Sequence, residues 1–231
     1  MTDATGRSDA TERSDAEKRA AAIAAAALVQ DGATLGLGTG STVAKFLPAL
    51  AARGLRLRCV ATSEATEVEA GELGIAVTPF AGDLARLDLA VDGADQVSPE
   101  LWLVKGGGGA HTREKIVAAA AARFVVIVSA DKLVDRIGPP IPLELLAFGL
   151  PATLRFLEAL GPVRVREVPP TPDGGVVADF LGDVGDPATL AAALSAVPGV
   201  VDHGLFPPQL VSDVLVGSAD GSVRRLGPER G

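Results

Sequence analysis

Apolar and mixed stretches alternate along the chain at two periods. Glu17 to Gln30 is rich in strong helix formers, begins acidic and stops at Asp31-Gly32, which predicts a helix. Ala33 to Leu37 is a short apolar run that predicts a strand, and Thr42 to Arg53 carries apolar residues at helical spacing, with Pro48 set to kink or shorten that helix. The alternation continues with strands over Leu55–Ala61, Ile75–Thr78, Leu87–Val91 and Phe124–Val128, and helices over Glu64–Leu73, which ends at Gly74, and Thr112–Arg123. Strands and helices in alternation predict an α/β fold with a mostly parallel sheet, helices on both faces, and ligands received beyond the carboxyl ends of the strands.

The punctuation then changes. Gly138-Pro139-Pro140-Ile141-Pro142 is proline-rich, and Pro169 to Gly175 mixes prolines with glycines. Between and after them, Ala152–Leu160 and Pro187–Ala196 read as helices, and Val163–Val168 and Val176–Phe180 as strands. Residues 137–206 are therefore expected to form a smaller α+β domain, and Val211–Val216 to return as a strand to the first sheet. The main domain is then 17–136 with 207–231. Residues 1–16 are polar and hold a near repeat, Thr5–Ala10 (TGRSDA) and Thr11–Ala16 (TERSDA), with no apolar segment of the kind a signal peptide requires. A disordered tail is expected there.

Composition narrows the classes of function. Among 231 residues, 48% are hydrophobic, yet the longest apolar run, Ala20 to Val29, is half the roughly twenty residues that a membrane helix needs. A soluble protein without a membrane partner is expected. Aromatic residues are only 3% and Tyr is absent, so Ala, Val and Leu must fill the core. The formal charge of −8 lacks the broad basic footprint of a nucleic-acid binder. A single Cys, Cys59, excludes an intramolecular disulfide, and two His leave no Cys/His zinc cluster. Cys59 lies in a strand-like run, where a buried inert thiol is expected, and a reducing cytoplasm fits.

Four segments follow apolar strands and carry candidate chemistry. In Gly36 to Thr42 (GLGTGST), glycines at every second position differ from a dinucleotide fingerprint, and the G-K-[ST] end of a P-loop is missing. Its amides and the hydroxyls of Thr39, Ser41 and Thr42 at a helix N-terminus suit a phosphate, and they equally suit a tight capped turn. Asp92 and Asp95, in LDLAVDGAD, can divide acid and base roles or bind a divalent metal, and an isolated D-x-x-D also makes a simple turn. In Leu103 to Lys115 (LVKGGGGAHTREK), four glycines cost backbone entropy that a linker does not explain. They offer N–H groups to an anion or a developing oxyanion, Lys105 adds positive charge, and Glu114 falls in the first helical turn, where it also complements the macrodipole. His111 beside it reads as a surface or packing residue. Lys132, in Ser129 to Asp135 (SADKLVD), reads by itself as a solvated lysine.

Together these segments resemble the type A family of ribose-5-phosphate isomerases. The resemblance rests on GLGTGSTVAKF (36–46), ATSEAT (61–66), LAVDGADQV (89–97), VKGGGGAHTREKIV (104–117) and VPGVVDHGLF (197–206), in the family's order. It implies a Rossmann-like domain with a small α+β domain, a homodimer, and an aldose–ketose isomerase that interconverts ribose 5-phosphate and ribulose 5-phosphate without metal or cofactor. It further implies Glu114 as catalytic base and Asp92 and Asp95 as paired carboxylates flanking Gly93 and Ala94. Lys105 with Gly106, Gly107 and Gly108 becomes one substrate loop, Thr39, Gly40, Ser41 and Thr42 the other, and Lys132 a substrate-contacting lysine. The chain departs from the family's usual pattern at His111, where an apolar residue is common, and near Ser129, where an acidic one is. The chemistry agrees with the resemblance: a proton taken from carbon 2 and returned to carbon 1 needs one carboxylate, and the enediolate oxygens need donors. Competing readings are a non-catalytic sugar-phosphate sensor, a nicotinamide-dependent oxidoreductase and a metal-dependent phosphotransferase. The first normally adds a basic helix-turn-helix, and the glycine spacing disfavours the second.

Overall fold

A computed structural model describes residues 4–227, with side chains from residue 10 onward. In chain order the strands are β1 (Thr34–Leu37), β2 (Arg58–Ala61), β3 (Leu89–Asp92), β4 (Gln96–Val97), β5 (Leu103–Val104), β6 (Phe124–Ser129) and β7 (Ile141–Leu145). They continue with β8 (Val163–Val165), β9 (Val176–Phe180), β10 (Val200–His203), β11 (Leu205–Phe206), β12 (Asp213–Gly217) and β13 (Val223–Leu226). The helices are α1 (Ala4–Leu28), α2 (Val43–Ala51), α3 (Glu64–Glu72), α4 (His111–Ala120), α5 (Leu150–Glu158) and α6 (Pro187–Ser195). The chain divides into two compact units, one of residues 1–93, 116–132 and 209–231, the other of 94–115 and 133–208. The second unit is larger than the 137–206 expected, because it also takes in 94–115, 133–136 and 207–208.

The first unit is a Rossmann-like α/β domain. Its six strands run in the order β13-β12-β6-β3-β1-β2, all parallel except the edge strand β13. The order reverses between β1 and β3, and in such sheets the carboxyl ends at that reversal are where ligands bind. Val211–Val216 returns to this sheet as β12, beside β6. Its core joins Ala21, Ala22 and Ala25 of α1 and Phe46, Leu47 and Leu50 of α2 to Leu35, Leu37, Val91 and Ile127 of the sheet. A glycine on β12 lets α1 lie close: a Cβ at Gly217 would fall 1.9 Å from the Glu17 carbonyl oxygen.

Two expectations differ from what this unit shows. Where a disordered tail was expected, α1 is helical from Ala4. Its Ala, Glu and Arg are good helix formers, and it is tied down by Lys45 on Asp15 (3.0 Å) and by Glu17, which pairs with Arg13 (3.1 Å) and accepts from the Ala130 amide (3.2 Å). Residues 1–3 of the tail lie outside the described residues. The strand expected over Ile75–Thr78 reduces to one bridge, Cys59 with Val77, because Pro79 follows at once beside edge strand β2.

The second unit is α+β. A four-stranded antiparallel sheet, β10-β7-β9-β8, packs Ile141, Leu143, Leu145 and Phe180 against Leu157 of α5 and Leu190 and Leu194 of α6. Asp186 caps α6 by accepting from the Thr189 amide at 2.9 Å, with Pro187 at the first turn. A small antiparallel sheet, β11-β5-β4, carries the segment that leads into the glycine run.

Candidate active site

In the first unit, β1 and β3 deliver a turn and a carboxylate to the same sheet end. The Gly38 amide donates to the Val91 carbonyl (2.9 Å), and a Cβ at Gly38 would fall 2.0 Å from the Asp92 Cγ, so only glycine fits. The buried Asp92 Oδ1 accepts from the amides of Thr39 (3.1 Å) and Gly93 (2.7 Å). The Thr39 hydroxyl lies 2.8 Å from that of Thr62 and 2.9 Å from that of Ser63, while the Thr66 hydroxyl donates to the Gly38 carbonyl at 2.8 Å. Ser63 also caps α3, so this hydroxyl knot is anchored to a helix start. Gly40, at φ +111°, turns the chain toward α2, and its carbonyl accepts from Ala44. Ser41, Thr42 and Lys132 lie outside the knot among the described residues. Lys132 ends the 3-10 turn Ala130–Lys132 after β6, its Nζ 3.4 Å from the Asp131 carboxylate.

In the second unit, β5 ends at Val104 and Lys105 follows. Its amide donates to the Gly204 carbonyl (2.9 Å), and its Nζ lies 3.2 Å from Glu114 Oε2 in the first turn of α4. Both side chains are buried, at 3% and 5% exposure. Removing one partner of a buried pair of this kind costs about 3–5 kcal/mol. The loop between them turns on Gly106 (φ +103°) and Gly109 (φ +79°). The Gly107 amide donates to Asp95 Oδ2 at 2.9 Å, which joins Asp95 to the loop. On the loop's other side, Arg166 Nη1 donates to the carbonyls of Gly106 (3.1 Å) and Gly107 (2.8 Å).

His111 packs beneath this loop. A Cβ at Gly106 would meet its Nδ1 at 2.7 Å, the ring is fully buried, and neither ring nitrogen is hydrogen-bonded among the described residues. Burial pushes its pKa down from 6.5 to about 4, so the ring is neutral near pH 7. His203 is pushed down to about 4 as well, by burial and then by the Lys115 charge. Lys115 pairs with Asp202 and sits 5.0 Å from the Phe206 ring centre, which Lys105 approaches at 5.5 Å. Of the surface or packing role expected for His111, its full burial leaves packing. Cys59, buried in β2, has its thiol pushed up to about 12 by burial, which leaves it unreactive.

The first unit thus joins Thr39, Asp92 and Gly93, and the second joins Asp95, Lys105, Gly106, Gly107 and Glu114. The paired aspartates belong to different units, which divide between Gly93 and Ala94. Sequence reasoning gave no role to Thr62, Ser63 and Thr66, although their hydroxyl spacing in ATSEAT was there to be noticed. It also passed over Arg166, whose segment carries no motif. Among the described residues no cluster of three or more His, Cys, Asp or Glu is arranged to hold a metal ion.

A curated relative from Roseiflexus sp. (strain RS-1), ribose-5-phosphate isomerase A, is 46% identical over 214 residues, covering 87% of this chain and 91% of its own. The ribose 5-phosphate isomerase A structure from Neisseria gonorrhoeae superposes with a TM-score of 0.88 at 31% identity, covering 94% of this chain and 98% of that one. The Methanocaldococcus jannaschii structure gives 0.85 at 35%, covering 91% and 97%. The class is that of the sugar-phosphate isomerases. Residues 58–221 match the family model described as ribose 5-phosphate isomerase A (phosphoriboisomerase A), and the chain belongs to that family.

Proposed function

We propose that the protein interconverts D-ribose 5-phosphate and D-ribulose 5-phosphate through an enediolate, as a step of the non-oxidative pentose phosphate pathway and without metal or cofactor. The observation that carries the reading is the buried Lys105–Glu114 pair beside the glycine loop. Glu114 takes the proton from carbon 2 and returns it to carbon 1. Lys105, already opposite that carboxylate, and the amides of Gly106 and Gly108 stabilise the enediolate oxygens, while the Gly107 amide holds Asp95. Asp92 and Asp95 exchange hydroxyl protons during ring opening, and both already accept from backbone amides, which fixes their carboxylates. Thr39, Gly40, Ser41 and Thr42 receive the phosphate with hydroxyls and with amides ahead of α2, and Lys132 adds a charge.

The same proposal includes a homodimer in the cytoplasm. Phe148, 93% exposed, and Leu146 and Phe156 beside it in the second unit's sequence support a covered surface. The lone thiol at Cys59 fits a reducing compartment, and no helix among the described residues is long and apolar enough to cross a membrane. Purified protein treated with EDTA is expected to convert ribose 5-phosphate to ribulose 5-phosphate in a coupled or direct assay. Absence of turnover by folded protein under those conditions overturns the cofactor-free isomerase.

A further inference from the structure

Arg166 takes no part in the reaction as proposed, yet it is built into the loop that does. It follows β8, and its amide extends that strand's ladder to the Val177 carbonyl at 2.9 Å. Its side chain is 18% exposed, and Asp179 on the neighbouring β9 is 5% exposed. Asp179 grips Nε at 3.0 Å and Nη2 at 2.6 Å, a two-point contact that fixes the plane of the guanidinium. That leaves Nη1, and it donates to the Gly106 and Gly107 carbonyls.

Peptide geometry turns this contact into an orientation. In a trans peptide the C=O and the following N–H point in opposite directions. A cation holding the carbonyls of Gly106 and Gly107 therefore turns the amides of Gly107 and Gly108 away from itself. The Gly107 amide accordingly meets Asp95. The loop has no side chains to hold it and uses φ values of +103° and +79°, so its backbone needs an external anchor to stay in one conformation. Positive charge on a carbonyl also polarises its peptide and makes the N–H a better donor. Stability alone is a weak account of a buried ion pair, since apolar replacements often do as well.

We infer that Arg166, held by Asp179, is a positioning residue that sets the direction and donor strength of the glycine-loop amides. This rests on the isomerase reading above, in which the Gly108 amide meets an enediolate oxygen while the Gly107 amide holds Asp95. The contribution belongs to the transition state more than to the bound sugar, so it is expressed in kcat more than in KM.

The test compares wild type with Arg166→Gln, Arg166→Lys and Asp179→Asn, each checked for folding by circular dichroism and thermal melting. Arg166→Gln is expected to lower kcat about 10- to 100-fold, less than or equal to the loss of a direct oxyanion donor, with KM for ribose 5-phosphate changed less than about threefold. Binding of phospho-erythronate, a ligand in a solved ribose-5-phosphate isomerase whose planar carboxylate has the shape of an enediolate end, should weaken by a similar factor while binding of inorganic phosphate stays as in wild type. Arg166→Lys keeps the charge without the planar fork and should fall between the two. Asp179→Asn should reproduce part of the defect, and combining it with Arg166→Gln should add little. A folded Arg166→Gln with wild-type kcat overturns the inference, as does equal loss of affinity for phospho-erythronate and phosphate, which marks general loosening. If Arg166→Gln does not fold, Arg166→Lys carries the same two criteria. Wild-type protein inactive on ribose 5-phosphate would instead sink the isomerase reading, so the two failures are separable.

Discussion

The two glycine turns look alike in sequence and are held in opposite ways. The turn at 36–42 is fixed mainly by hydroxyls, those of Thr39, Thr62, Ser63 and Thr66, with one carboxylate, Asp92, on the Thr39 amide and a glycine at 38 that lets it come close. The run at 105–109 is fixed by charge: a buried Lys105–Glu114 pair at one end, Asp95 on an amide, Arg166 on two carbonyls, and a neutral buried His111 beneath. Hydroxyls and amides suit a ligand group whose charge stays constant through a reaction. Buried, paired charges suit a place where charge develops and moves, because their interaction is strong there and needs no reorganisation. Glycine richness by itself therefore identifies neither role; what surrounds the glycines does.

The largest test of this contrast is Glu114→Gln, which keeps shape and removes the base. It is expected to lower kcat by about 10²-fold or more while ligand binding, measured by calorimetry, changes little. A near-normal rate would move the chemistry away from the charged loop. On the hydroxyl-rich turn, Thr39→Val removes the central hydroxyl of the knot and should raise KM about tenfold with kcat nearly intact, the value of one to two lost hydrogen bonds. A kcat defect at Thr39 as large as that at Glu114 would dissolve the distinction.

The smallest effect concerns protons beneath the loop. Unfolded, both histidines titrate near the ordinary 6.5, whereas folded they resist protonation down to about 4. The unfolded chain binds more protons in that window, so stability is full above about pH 6.5 and is lost as pH falls toward 4. His111→Leu removes one of these two groups and should flatten the fall of melting temperature across that window by about half. A slope equal to wild type would place the acid sensitivity elsewhere.

Much of this was legible in local pattern. The β1, α2, β2 and α3 succession, the apolar β6 and the Val176–Phe180 strand follow from period and punctuation. The two-residue strands β4, β5 and β11 are too short for any period to register. β7 was hidden because Pro142 argues against a central strand, yet its pairing with β10 begins only at Leu143, so the missing amide breaks no bond there. The site shows the same division. Lys105, the glycines and Glu114 lie within one short segment, and their types announce chemistry. The clasp of Arg166 on Gly107 and the contact of Thr39 with Thr62 join residues far apart in the chain, and such pairs exist only after folding.

The position of β12 has a consequence for how the chain is made. Helix α1 leaves the ribosome well before β12, on which it packs. Until residues 213–217 emerge, the alanine face of α1 lacks part of its seat and β6 lacks a neighbour on one side. Synthesis runs at roughly 5–20 residues per second, so a nascent chain carries that unfinished sheet edge for many seconds. A ribosome stalled just before β12 leaves both surfaces open, which makes the synthesis of residues 213–217 the point at which β6 gains its second neighbour.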